Sequence, residues 1–172
     1  MLIHLKLILL SLLLLSKGLY GQSSFLEDYK LKWKNTMEYT LEFAQIMPED
    51  NYAYTPTKVE MNYGEQLKHL AGNMVWLCSS YLQGEKTAID PLKSGISKKE
   101  IISVLEKSFA YANKTIGNLT EADLNEPVDF FAGKMSRRRI LFLLTDHVTH
   151  HRGQLVVYLR MKNIEPPNYR GW

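Results

Sequence analysis

Two histidines four residues apart, His147 and His151, form the pair in this sequence best suited to chemistry. Residues four apart on a helix are surface neighbours, so two imidazoles at this spacing can converge on one ion. Without an ion, burying two unpaired imidazoles side by side costs free energy. A helical wheel with Ile140 as reference gathers Leu144, His147, His151, Gln154, Leu155 and Tyr158 within about 60° of that direction. The wheel expects His147 and His151 at the centre of the buried stripe, with His150 roughly 80° away on the flank. Arg152 and Gly153 point elsewhere. Zinc proteases use the same histidine spacing but need Glu directly after the first histidine, and Val148 stands there. Spacing alone leaves two readings open, a metal pair or two satisfied core histidines.

His69 supplies a third imidazole. The apolar stripe of its helix is Leu67, Leu70, Met74, Leu77 and Tyr81, and His69 lies to one side of it. Its own face collects Glu65, Gln66, Asn73 and Trp76, which is polar for a bundle interior. That face is either solvent-exposed or one wall of a pocket opposed by His147 and His151. Neutral imidazole is a good ligand for zinc, copper, iron or nickel. Three protein ligands leave a position for water or substrate, as catalytic zinc sites do.

The elements that must position these residues are helical. Three segments open with a hydroxyl residue followed three places later by Glu, the reciprocal cap that satisfies the first free amides of a helix. These are Ser24 with Glu27, Thr57 with Glu60, and Ser97 with Glu100. The first helix is expected from Phe25 to Ile46, ahead of Pro48; the second from Val59 to Leu82; the third from Lys98 to Gly117. Ser136 caps a fourth that runs to Lys162, where Asn163 can take the left-handed closing conformation before Pro166 and Pro167. No segment alternates well enough to predict a strand. The expected class is all-α, a four-helix bundle with an irregular crossover between Asn118 and Met135. Phe130 and Phe131 in that crossover are expected to fold over one end of the bundle.

Residues 1–21 read as a secretory signal peptide. An early lysine precedes an apolar run too short to span a bilayer, and Gly18 and Gly21 offer cleavage points before Gln22. The chain is therefore expected to be exported, periplasmic or secreted, with an uncleaved N-terminal membrane anchor as the alternative and no stable membrane insertion after cleavage. One domain over residues 22–172 remains, with four histidines and a net charge of about +1. Such a balance does not suit nucleic acid, which calls for a basic patch. Arg137, Arg138 and Arg139 read as a solvated helix start. Cys78 is the single cysteine, so an internal disulfide and a cysteine-based zinc cluster are both excluded. It reads as core. The side of the fourth helix opposite the histidines carries Phe142, Thr149, Gly153 and Val156, an apolar back face that suggests the crossover loop or a homodimer contact.

The run Asp146-His147-Val-Thr-His-His151-Arg-Gly-Gln154, followed by Tyr158-Leu-Arg160 and Pro166-Pro167, resembles the DinB-like family of metal-dependent enzymes. The segment Gln66-Leu-Lys-His69-Leu-Ala71, with Trp76 behind it, is similar to that family's first histidine region. The resemblance implies a four-helix bundle with a mononuclear metal site on His69, His147 and His151. Asn163 stands where the family more often has Gly, and Asn tolerates the same backbone. The implied cofactor is a divalent ion, zinc first, with nickel, iron or manganese as alternatives. The family covers thiol-dependent transferases and isomerases and many members without an assigned reaction. An exported chain is removed from the reducing cytosol where small thiols belong, so metal-assisted hydrolysis or a related water-activating reaction is the more economical expectation. A thiol-dependent S-transferase or isomerase, and a metal-containing binding or stress protein without turnover, are the alternatives. On the enzyme reading Glu65 is the candidate base or partner of the ligands, Gln154 orients a small-molecule substrate, and Trp76 forms an apolar wall.

Overall fold

In the structure, a computed structural model that describes residues 23–172, the first helix begins at its cap. Helix α1 (Phe25–Ile46) has Ser24 accepting from the Glu27 amide while Glu27 accepts from the Ser24 amide. Helix α2 is Tyr63–Tyr81, α3 is Lys98–Asn118 with the Ser97 and Glu100 box, and α4 is Arg137–Met161 with Ser136 as its cap. The signal peptide expected over residues 1–21 lies outside the described residues. No helix among the described residues is long and apolar enough to cross a membrane.

Helix α2 starts four residues later than the sequence suggests. Its reciprocal cap is Asn62 with Glu65, not Thr57 with Glu60. Both segments have a capping residue followed by Glu at the right spacing, so burial decides between them. Tyr63 is fully buried and donates from its hydroxyl to the Phe43 carbonyl at 2.8 Å. The amides of Tyr63 and Gly64 are held by the carbonyls of Tyr54 and Tyr52. Residues 55–60 instead form a turn closed by the Thr55 hydroxyl, which contacts the carbonyls of Thr57 and Glu60. At the other end of the bundle, α4 closes as anticipated. Asn163 has φ 57°, its amide bonds to Arg160 O, and the Ile164 amide bonds to Leu159 O.

The bundle packs α2 against both α3 and α4, and α1 against the same two helices. Trp33, Phe43, Leu67, Leu70, Met74, Leu77, Leu105, Phe109, Leu144, Leu155 and Leu159 are buried in the shared core. Each fully buried large apolar side chain contributes about 1.5–3 kcal/mol.

The second half of the crossover is a hairpin and not irregular chain. Strands β1 (Pro127–Phe130) and β2 (Gly133–Ser136) pair antiparallel with Phe130 opposite Gly133, joined through Phe131 and Ala132. Gly133 has φ 106°, a conformation L side chains rarely adopt. Four-residue strands with half their side chains exposed leave too little alternation to be read from sequence. Phe130 packs into the end of the bundle as expected, with its ring centroid 5.2 Å from that of Tyr81, while Phe131 remains exposed.

The wheel for α4 also needs correction. Its buried arc runs from Ile140 and Tyr158 on one side to Arg152 and Thr145 on the other, with Leu155 and Val148 near the centre. His151 is buried, but His147 is only half-buried and stands at the edge of that arc. Arg152, which the wheel placed away from the core, is 5 % exposed, because its guanidinium lies over the Tyr39 ring of α1. Rotation of the helix is set by two neighbours, and a wheel that counts arginine as polar misplaces it. Phe142, Thr149 and Gly153 on the back face are exposed, with Phe142 against Phe25 at 5.4 Å between ring centroids.

Candidate metal centre

Helix α2 carries His69 and α4 carries His147 and His151, and the contact between these two helices brings the three rings together. Each ring offers a nitrogen, and the three nitrogens lie within 4.8 Å of one another. Ring centroids are 5.0 Å apart for His69 and His147, 4.6 Å for His69 and His151, and 4.4 Å for His147 and His151. Nε2 of His69 and Nε2 of His147 are separated by 3.2 Å. Two nitrogens each about 2.0–2.1 Å from a tetrahedral ion stand roughly 3.3 Å apart, so the separation fits a shared cation.

The electrostatics fit too. Burial holds the His147 imidazole down to about 4, helped by the neighbouring His151, His69 and His150. His151 is lowered to about 4 by burial and by His69 and His150, against an opposing hydrogen bond to the Gln154 oxygen. Both rings are therefore neutral near pH 7 and keep a lone pair for a cation. Nδ1 of His147 is buried without a hydrogen-bond partner. Nδ1 of His151, by contrast, lies 2.6 Å from Oε1 of Gln66 and 3.1 Å from Oε1 of Gln154. The donor set, three imidazoles with two rings half-buried, could hold a metal ion.

Of the other sequence-derived candidates, Gln154 and His150 contact His151, while Glu65 and Trp76 make their contacts elsewhere. His150 is exposed and its Nε2 faces the Gln154 amide at 3.4 Å, outside the three-histidine group. Gln154 is half-buried and packs against His151 and His150. The Glu65 carboxylate accepts from the Asn62 amide at 2.8 Å and lines a cleft with Tyr52, Lys68 and Ile101. Trp76 lies two turns beyond His69 on α2 and stacks near Phe131, Phe130 and Tyr81. With Gly72, Val75, Pro91 and Leu92 it borders an apolar groove of about 390 Å³. Cys78 is fully buried and burial pushes its thiol up to about 12, so it is core and not a nucleophile.

Sequence reasoning missed the part played by Gln66. From sequence a glutamine three residues before His69 contributes only polarity to that face, yet its side chain is fully buried. A buried amide must be paired, and that requirement was the available signal. Asn73, one turn beyond His69, keeps a buried Oδ1 without a partner.

Comparison with known proteins agrees with this architecture. A family model described as the DinB family matches residues 22–170. The Bacillus subtilis (strain 168) protein described as uncharacterized protein YjoA is 29% identical over 157 residues, covering 87% of this chain and 97% of that protein. Its crystal structure, described as a DinB-like protein, aligns with TM-score 0.67 at 23% identity, over 83% of this chain and 97% of that one. A DinB-like protein from Bacillus cereus ATCC 10987 aligns with TM-score 0.70 at 20% identity, over 84% and 97%. At these identities the structural likeness carries the fold.

Proposed function

The chain belongs to the DinB family, and on that premise we propose that it is a metal-dependent enzyme whose three histidines hold one divalent ion for hydrolysis or a related water-activating reaction. The observation that carries this reading is the cluster of His69, His147 and His151, three ring nitrogens from two helices within 4.8 Å. A divalent ion bound there supplies Lewis-acid chemistry, lowering the pKa of a water to about 7 and polarising a carbonyl or phosphoryl oxygen. Zinc is the first choice, with nickel, iron or manganese as alternatives.

The chain's own residues do the rest. Gln66 and Gln154 accept from the outer nitrogen of His151 and keep its ring oriented. The edge position of His147 and the half-burial of His69 leave one side of the cluster open to a substrate. Trp76 and the groove beside it offer an apolar wall, and Gln154 offers an amide to a polar group. A sealed site would favour a protein that binds metal without turnover. Among the described residues no fourth His, Cys, Asp or Glu joins the group, which supports the open, reactive reading. The buried Cys78 offers no thiol chemistry of its own.

The test is metal analysis of the purified full chain and of four alanine variants, followed by turnover of ester and phosphoester probes with and without added metal. One ion per chain is expected. His69→Ala, His147→Ala and His151→Ala should each lose most of it, and His150→Ala should keep it. Probe hydrolysis should appear with metal and vanish with a chelator. Glu65→Gln keeps an acceptor for the helix cap and removes the charge, so a general-base role requires turnover to fall while the fold persists. If none of the four histidine variants changes metal content, the histidines are core residues and the proposal fails.

A further inference from the structure

The two nitrogens of His151 are made inequivalent by a backbone carbonyl three links away. Met61 O can only accept, and the Tyr158 hydroxyl lies 2.6 Å from it, so that hydroxyl donates there. With its single hydrogen spent, the Tyr158 oxygen can only accept from Gln66, 3.3 Å away, which must present its NH₂ end. The Gln66 oxygen is thereby turned toward His151 Nδ1 at 2.6 Å. An amide oxygen at that distance requires a hydrogen on Nδ1. Gln154 Oε1, 3.1 Å from the same nitrogen, makes the same demand.

We infer that Gln66 and Tyr158 are positioning residues that, anchored on the Met61 carbonyl, hold His151 as the Nδ1–H tautomer and leave Nε2 as its metal-binding nitrogen. The inference rests on the metal reading for its consequence, but the tautomer itself follows from the hydrogen-bond chain. Burial makes the chain directional. Gln66 is fully buried and Tyr158 is 3 % exposed, so water cannot substitute for a missing partner. The Tyr158 ring is steadied by Tyr54 and Tyr63, each with its ring centroid 6.1 Å away. Met61 immediately precedes the cap of α2, and Tyr158 is on α4. The chain therefore ties the start of the His69 helix to the helix of His147 and His151. His147 has no such partner on Nδ1, so within the trio His151 is the fixed ligand and His147 the adjustable one.

The experiment uses the full chain in metal-free and cobalt-loaded forms. Ring ¹⁵N NMR of the metal-free protein reads the His151 tautomer, and chelator competition with the Co(II) spectrum reads affinity. The wild type should show Nδ1–H. Gln66→Leu should show mixed tautomers and bind cobalt about 10- to 100-fold more weakly, the usual cost of losing a ligand's hydrogen-bond partner. Gln66→Glu keeps an oxygen toward Nδ1 and should retain the tautomer and bind cobalt at least as tightly as wild type, with the Tyr158 hydroxyl turning from Met61 O to the second carboxylate oxygen that replaces the NH₂. Tyr158→Phe frees the amide to turn and should mix the tautomers with a smaller loss of affinity. A wild-type Nε2–H tautomer overturns the inference. So does a Gln66→Leu protein with unchanged tautomer and affinity, or a Gln66→Glu protein that fails as Leu does, since packing alone would then explain the residue. Should Gln66→Leu not fold, the wild-type tautomer and the other two variants still decide. A wild type that shows Nδ1–H but binds no cobalt removes the metal reading while leaving the hydrogen-bond chain in place.

Discussion

Arg152 is a charge buried without a countercharge, and replacing it with methionine should stabilise the protein. Its guanidinium is centred 4.5 Å from the Tyr39 ring centroid, and Nη1 donates to Thr36 O at 3.5 Å and Thr40 Oγ1 at 3.4 Å. No ion pair among the described residues involves it. Removing the head group forfeits a cation–π contact of about 0.5–2 kcal/mol. The two hydrogen bonds are long and sit at the low end of their range, about 0.5 kcal/mol each. Nothing is stranded, because the Thr40 hydroxyl already donates to Thr36 O at 2.6 Å. Against these losses stands a desolvation penalty of several kcal/mol for a buried ion. Arg152→Met should therefore gain about 1–2 kcal/mol, and Tm should rise by about 2–8 °C at this chain length. Arg152→Lys keeps the buried charge but loses the planar stack, and should be less stable than wild type by about 1 kcal/mol. Thermal and urea unfolding followed by circular dichroism measure both, and metal content should not change in either. A methionine variant destabilised by more than about 2 kcal/mol, or less stable than the lysine variant, would refute the reasoning and show that the guanidinium contacts outweigh its desolvation.

Alkaline pH should weaken the fold. Burial pushes Cys78 from about 9 to about 12 and holds the phenols of Tyr29, Tyr52 and Tyr63 above their ordinary range. The unfolded chain ionises these groups first, so the folded state binds more protons there; stability is intact below about pH 9 and is lost as pH rises toward 12. A urea midpoint that stays constant between pH 7 and pH 10.5 would contradict this. Adjacent positions at the end of α2 should respond oppositely to glycine chemistry. Gln83 has φ 63°, so Gln83→Gly should raise stability by about 1 kcal/mol. Gly84→Ala should lower it, because a Cβ there would lie 2.7 Å from the Cys78 carbonyl oxygen, which is backbone and cannot yield. Calorimetric Tm values for the two variants check the signs.

Local chemistry in this chain was readable without coordinates because its causes are local. The Ser24 and Ser97 boxes, the Ser136 cap and the left-handed Asn163 depend on residues within a few positions of one another, and they bound α1, α3 and α4 within about one residue of expectation. The i,i+4 spacing of His147 and His151 is likewise a property of one helix. His69 was placed with them through a family resemblance, since no periodicity links residue 69 to residue 147.

What only the tertiary structure decided involves partners distant in sequence. Asn62 displaced Thr57 as the start of α2 because Tyr63 docks under Phe43 and the loop carbonyls of Tyr52 and Tyr54 take up the first amides. The rotation of α4 follows from Tyr39 covering Arg152, which moved the buried centre to Val148 and left His147 at the edge. The hairpin at residues 127–136 is too short to show a period. Gln66 meets His151 across 85 positions of sequence, and only packing of α2 on α4 pairs them. Sequence by itself determined which residues are of a type and spacing suited to a metal and where most helices begin and end. Folding decided which of those residues face one another, because side-chain pairing across a core is set by helix rotation and close packing, which no single segment encodes.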